Sequence, residues 1–263
     1  MKLLFDAEAK GKPMRVACFM SGTGTNARKL IEYKKTFENN LQTPPFKIVA
    51  IFTDNPDSNA KTIAKEFEIP YLESDFSKFI EGKEKDAESR KQFDRMTYWM
   101  IKSHRADVIA LCGYSKIVTV PIIGNYLVVN VHPGDLSVVE DGKRKYVGLH
   151  NVPVRKAILA GEQFLHSTTH IVTDELDAGP LLIISKPLTI ELPYGINIDD
   201  LRNPENGKLL DDVATKHQEM LKEIGDWKIL PLTLHWIAEG RLGIDDDKKI
   251  YLDGREIVSG YRL

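Results

Sequence analysis

The chain has 263 residues, with 36 Lys and Arg against 38 Asp and Glu, and so a formal net charge of −2. Hydrophobic residues make up 42% and charged residues 28%, which excludes disorder and fits one large domain or two compact ones. Near-neutral charge argues against a broad polyanion-binding face, so no nucleic-acid partner is expected; no apolar run approaches the ~18 residues of a membrane span, so no membrane partner is expected either.

Residues 15–20 read as a short buried strand, 21–26 as a glycine-rich turn, and 27–35 as a helix. A second strand, 46–53, ends at the turn formers Asp54-Asn55-Pro56-Asp57, and a helix over 59–67 leads to a short strand at 69–72. A helix over 87–104 precedes 108–112, the most strand-like run in the chain. This alternation predicts βαβ units and a largely parallel sheet, an α/β fold. The second half reads as a strand at 127–131, a charged surface loop at 141–145 and a helix at 154–160. Two strands follow, 167–172 and 181–188, joined by a loop at 173–180, then helices at 211–224 and 231–239 and a terminal hairpin near 251–254. Cys18 and Cys112 each lie inside an apolar run and lack metal-ligand spacing, and the first twelve residues are too charged for a secretory signal. Reduced core thiols in a cytoplasmic protein are expected.

Three segments carry chemistry. Gly22-Thr23-Gly24-Thr25-Asn26-Ala27 matches G-x-G-x-x-A between a strand and a helix, where glycines allow close backbone approach and the helix N-terminus offers N–H groups to an anion. The pattern fits a dinucleotide site, a monophosphate site or a plain tight turn; Asp54 is placed to hold a ribose in the first case, and no Walker-type lysine is present. Asn130 and His132 lie two apart on a strand and point the same way, at the carboxyl end before Pro133. An amide and an imidazole together can hold an oxyanion and move a proton; a buried pair satisfied by backbone is the alternative. The loop Thr173-Asp174-Glu175-Leu176-Asp177-Ala178-Gly179-Pro180 sets three carboxylates between two apolar runs, as a solvated turn or a shaped active-site loop. Of the other histidines, His104 and His217 read as solvated and His235 as packing, while His150 and His170 lie nearer the suspected site; none forms a metal-ligand cluster, so no metal is expected.

With Gly148-Leu149-His150, His170-Ile171-Val172 and Gly240-Arg241-Leu242, these segments make the chain resemble the folate-dependent formyltransferases, most closely the branch acting in purine synthesis. The resemblance implies a Rossmann-like formyltransferase fold: a mostly parallel sheet flanked by helices, continuing into a C-terminal half with an antiparallel hairpin. It implies one domain over 1–263, with a nucleotide half at 14–125 and a catalytic and folate-binding half at 126–263. By resemblance, Gly24, Thr25 and Asn26 hold a substrate phosphate, Asn130, His132 and Asp177 are the catalytic trio, and Asp226 touches the phosphorylated amine. Ser115, Lys116, Ile117 and Val118 line the folate pocket with Asp174 and Glu175, and Arg90 approaches the folate. The implied reaction moves a formyl group from 10-formyltetrahydrofolate, a co-substrate, to a primary amine, with Asp177 keeping His132 charged; no tightly bound cofactor is implied. Expected partners are the phosphorylated amine, the formyl folate and, for assembly, a second copy as a homodimer. An amino-sugar nucleotide is the other acceptor weighed, and a nicotinamide-dependent Rossmann oxidoreductase the reading from another class. The sequence departs from the family at Gly134-Asp135-Leu136-Ser137 after His132-Pro133, at Ser115-Lys116, at 203–208, and at a charged insertion over 139–145.

Overall fold

The computed structural model describes residues 1–10 and 13–263. Eight strands form the main sheet: β1 (Met14–Met20), β2 (Phe46–Thr53), β3 (Tyr71–Glu73), β4 (Val108–Leu111), β5 (Leu127–His132), β6 (Thr168–Ile171), β7 (Leu181–Ile184) and β8 (Tyr261–Arg262). Their order is β8-β7-β6-β5-β4-β1-β2-β3. The first five strands run parallel; β6 then pairs antiparallel with β5 and with β7, and β8 lies parallel to β7. The sheet is thus mostly parallel on one side and contains the antiparallel hairpin on the other.

The helices packed around the sheet and its carboxyl edge include α1 (Thr25–Asn39), α2 (Ala60–Glu66), α3 (Phe76–Ile80), α4 (Ala87–Lys102), α5 (Val152–Ala160), α6 (Gly207–Leu221) and α7 (Trp227–Ala238). The parallel strands are apolar on both faces because helices cover both. Val16, Cys18 and Met20 share one core with Leu30 of α1, Ile63 of α2 and Leu234 of α7, while Ala17 and Phe19 share another with Phe93 and Ile101 of α4. A third apolar cluster joins Val154 and Ile158 of α5 to Leu210 and Val213 of α6. Among the described residues no helix is long and apolar enough to cross a membrane.

Three departures from the sequence expectation shape the surroundings of the sheet's carboxyl edge. The strand expected over 181–188 breaks after Ile184: Pro187 has no N–H for a ladder, and Leu188–Thr189 pairs with Phe164–Leu165 in a separate ribbon. The loop expected at 141–145 is a hairpin, Val139–Glu140 against Lys143–Arg144. The helix expected over 211–224 starts earlier, at Gly207, after a short 3₁₀ turn at Pro204–Asn206 in the segment that looked inserted. It ends at Leu221 in a π turn, Lys222–Asp226, which runs straight into α7. A π turn inside a helix is uncommon and tends to mark a functional position.

Gly225 in that turn packs against β6. A Cβ built there would lie 2.8 Å from the Ser167 Cβ, and Ser167 is wholly buried. Gly225→Ala should therefore destabilise the protein by about 1–3 kcal/mol, as overpacking does, read from urea melts of both proteins.

Candidate active site

A cleft of about 270 Å³ opens at the carboxyl ends of β1, β4 and β5, where open α/β sheets place ligands. Of the residues singled out from sequence, Asn26, Ser115, Lys116, Ile117, Val118, Asn130, His132, Glu175, Asp177 and Asp226 line it. Gly24, Thr25, Asp174 and Arg90 do not; Asp174 is exposed beside the lining residue Glu175.

The end of the cleft that holds Asn130 and His132 is built by the β5–β6 pair. His170 lies directly across from Asn130 in the antiparallel register, and Thr168 across from His132. His170 Nδ1 faces the Ile171 carbonyl at 3.1 Å, and a carbonyl only accepts, so Nδ1 carries the proton. Nε2 is then an acceptor and takes one N–H of the Asn130 amide at 3.1 Å, leaving the second amide hydrogen for a ligand. Burial pushes the His170 pKa down to about 4, so this ring is neutral.

The same logic fixes His132. Its Nε2 donates to the Tyr146 carbonyl at 2.7 Å, so the neutral ring turns a bare Nδ1 toward Asp177 Oδ1, 3.5 Å away. His170 Nε2 is 3.7 Å from the same oxygen, and the Gly148 N–H donates to Asp177 Oδ2 at 3.0 Å. Burial lowers the His132 pKa below its ordinary value; Asp177 and the Tyr146 hydrogen bond oppose this, and Arg144 and Lys156 reinforce it. Burial thus works against the charged imidazolium that the resemblance implies, and the carboxylate works for it.

At the other end, Gly24 caps α1 with φ +71°, a left-handed conformation suited to glycine, and no side chain caps the first N–H groups of the helix. A Cβ on Gly24 would meet Met20 Cε and Ile63 Cδ1, each at 2.5 Å. The buried Asn26 donates to Asp226 Oδ2 at 3.5 Å, and its Oδ1 finds no hydrogen-bond partner among the described residues. Asp226 also accepts from Ser167 Oγ at 2.5 Å. The π turn thus points a carboxylate at the head of α1.

Several expectations change. Asp54 does not reach toward a ribose: it is buried, accepts from Ser21 Oγ at 2.5 Å and lies 3.6 Å from Lys116 Nζ. Arg90 is buried behind the cleft, bonded to Asp94 and to the Tyr114 hydroxyl, with its guanidinium carbon 5.2 Å from the Phe76 ring centroid and 4.9 Å from that of Phe93. Its Nε and Nη1 find no partner among the described residues. His217, expected to be solvated, is buried: Nδ1 donates to the Val213 carbonyl and Nε2 accepts the Glu191 N–H. His235 packs as expected, against Tyr33 and Phe37. Sequence reading passed over His166, which donates to the Ser185 carbonyl. It also missed the backbone of Tyr146 and Gly148, for which no side-chain pattern gives a signal, and the lining residues Gln218 and Lys222. No cluster of three or more metal-ligating side chains occurs among the described residues.

The profile described as formyl transferase matches residues 14–192. Phosphoribosylglycinamide formyltransferase of Haemophilus influenzae is 28% identical over 254 residues, spanning 94% of this chain and 98% of that protein. The Escherichia coli protein of the same name is 26% identical over 246 residues, 93% of this chain and 96% of its own. The phosphoribosylglycinamide formyltransferase structure from Coxiella burnetii superimposes with a TM-score of 0.70 at 24% identity, over 96% of this chain and 100% of that one, a likeness of fold.

Burial raises the Asp226 pKa to about 6. A carboxyl that holds its proton more tightly folded than unfolded stabilises the protein below its unfolded pKa of about 4, and this contribution is lost as pH rises through about 6. Asp226→Asn should remove that dependence: between pH 4 and pH 7 the stability of the variant should gain on wild type by up to roughly 3 kcal/mol, measured by urea melts at each pH. A constant gap across the window would mean that Asp226 stays charged in the folded protein.

Proposed function

The chain belongs to the formyl transferase family, and on that premise we propose that it transfers a formyl group from 10-formyltetrahydrofolate to the primary amine of glycinamide ribonucleotide, a step of purine synthesis. The observation that carries this reading is a single cleft in which Asn130, His132 and Asp177 sit at one end and Asn26, at the head of α1, at the other. Formyl transfer needs an oxyanion donor, a proton acceptor and an anchor for the acceptor's phosphate, and the cleft has a candidate for each.

The neutral amine attacks the formyl carbon, and the carbonyl π electrons move onto oxygen. The unclaimed N–H of Asn130 meets that oxygen, and a donor of this kind contributes of order 10²–10³ in rate. The attached nitrogen is now cationic and must shed a proton before the folate can leave. His132 Nδ1, which faces Asp177 Oδ1, would receive it, because the ring's other nitrogen already carries the proton donated to the Tyr146 carbonyl. As the bond from carbon to N10 breaks, the same proton passes to N10 and the carbonyl re-forms on the acceptor nitrogen. The 115–118 segment lines the cleft beside Asn130, where a pteridine would lie. The phosphate would rest on the uncapped N–H groups at the start of α1, where the helix dipole favours an anion.

A spectrophotometric assay with a 10-formylfolate analogue against a panel of amines tests the reading. Glycinamide ribonucleotide should be turned over; turnover of an amino-sugar nucleotide alone, or tight binding of NAD without folate, would overturn it. Asn26→Ala should raise KM for the phosphorylated amine by about 10- to 100-fold, the worth of a hydrogen bond to a charged group, and leave folate KM nearly unchanged.

Asp177 is the buried carboxylate of its loop, whereas Asp174 and Glu175 are exposed. Asp177→Asn keeps the shape and removes the charge that would share the proton, so kcat should fall by about 10²–10⁴-fold with a much smaller change in substrate binding. Asp174→Asn and Glu175→Gln should be far milder. The comparison is kcat for the three folded variants, and near-normal turnover in Asp177→Asn would refute the trio.

A further inference from the structure

The charged insertion over 139–145 supplies no group to the formyl-transfer steps, yet it reaches the centre of the site. Its strands pair Val139 with Arg144 and Glu140 with Lys143. The turn between them is Asp141-Gly142, with φ of +50° and +75°. Positive φ at both central residues is the tight turn whose twist matches a two-stranded ribbon, so the direction in which Arg144 leaves the hairpin is fixed by backbone geometry. Arg144 is half-buried, and its guanidinium donates to two carbonyls of the acidic loop: Nη1 to Asp177 O, and Nη2 to Gly179 O at 2.9 Å. One planar fork thus grips both ends of the bend that carries Asp177. That bend benefits from being held, because Asp177 itself sits at φ +54°, a left-handed conformation that is uncommon for a residue other than glycine.

The chain then continues along the pair. Two residues after Arg144, the Tyr146 carbonyl takes the His132 Nε2–H, and two further on the Gly148 N–H holds the Asp177 carboxylate. We propose that Arg144 is a positioning residue for the reaction, setting through the Asp177 and Gly179 carbonyls the separation and alignment of the His132–Asp177 pair. The kinetic part of this inference rests on the formyl-transfer reading; the geometric part does not.

A second effect comes from charge. The groups facing His132 are Asp177 from the β6–β7 loop, His170 from β6, Arg144 from the hairpin and Lys156 from α5. The two cations disfavour a protonated His132 and the carboxylate favours it. Removing the Arg144 charge should therefore move the His132 titration upward, and a lysine in its place should hold it near the wild-type position.

The test uses the full chain as wild type, Arg144→Ala and Arg144→Lys, each checked by thermal melting. Three quantities are read: kcat, KM for both substrates, and the midpoint of the His132 imidazole titration by NMR. In Arg144→Ala, kcat should fall about 10²-fold, the usual penalty for a catalytic group displaced by about 1 Å, with both KM values little changed. The His132 midpoint should rise. Arg144→Lys, which keeps the charge and one donor to a carbonyl, should recover part of kcat and return the midpoint toward wild type. Wild-type kcat in Arg144→Ala would overturn the proposal. So would a loss of kcat that follows a loss of melting temperature, is not rescued by lysine, and leaves the His132 midpoint unmoved. If wild type transfers no formyl group to any amine, the functional reading fails by itself and the NMR midpoint alone decides on Arg144: a rise in Arg144→Ala reversed in Arg144→Lys supports it, and an unmoved midpoint overturns it.

Discussion

Only 5% of the Asp177 side chain is exposed, and taking a carboxylate out of water is costly unless hydrogen bonds and nearby cations compensate it. At Asp177 the donors are the Gly148 N–H, on the carboxylate, and the Arg144 guanidinium, on the backbone carbonyl, while the nearest nitrogens of two imidazoles lie 3.5 and 3.7 Å from one carboxylate oxygen. Everything on this side of the sheet is arranged to bring those groups together. The reversal of strand direction between β5 and β6 sets His170 beside Asn130 and lets the following loop fold back over the strand ends. A sheet that stayed parallel at this point would need a crossover helix there, and the acid would be carried away from the imidazole.

The second polar cluster joins segments far apart in the sequence. Asn26 from the head of α1, Ser167 from the start of the β6 region and Asp226 from the π turn meet in a buried set of hydrogen bonds. Because α1 follows β1 and Asp226 precedes α7, this contact fastens the parallel half of the sheet to its antiparallel half at the cleft itself. The extra residue of the π turn sets Asp226 facing inward.

What could be read from the residues depended on whether the determinant was local. The strand at Phe46–Thr53 is bounded by an apolar run and a cluster of turn formers, and its observed limits coincide with the expected ones. The paired orientation of Asn130 and His132 follows from strand periodicity, and both line the cleft. Pairing partners and burial are not local. A histidine in a polar stretch gives no sign that it faces inward, and His217 is buried because α6 turns that edge toward Glu191. Lys143 and Arg144 look like solvated charge until the hairpin brings Arg144 under the acidic loop. Asp54 stands where a ribose-binding acid would, yet Ser21 and Lys116 claim it, which also takes away the main support for a nicotinamide cofactor. Arg90 follows the family pattern, yet its side chain lies behind Phe76 outside the lining of the cleft.

The two residues of β8 have an effect out of proportion to their length. Without them β7, four buried aliphatic residues in a row, would end the sheet with an unpaired ladder of backbone groups, the kind of edge that templates strand addition between molecules. Tyr261 and Arg262 cover that ladder, and Arg262 is itself anchored to Asp135 and Ser137, just beyond His132. Protection from self-association is in this way tied to the segment that leaves β5. Any change that peels Tyr261 and Arg262 off β7 would both uncover a sticky edge and release the chain next to His132, so exposure of that edge and loosening of the cleft would arrive together.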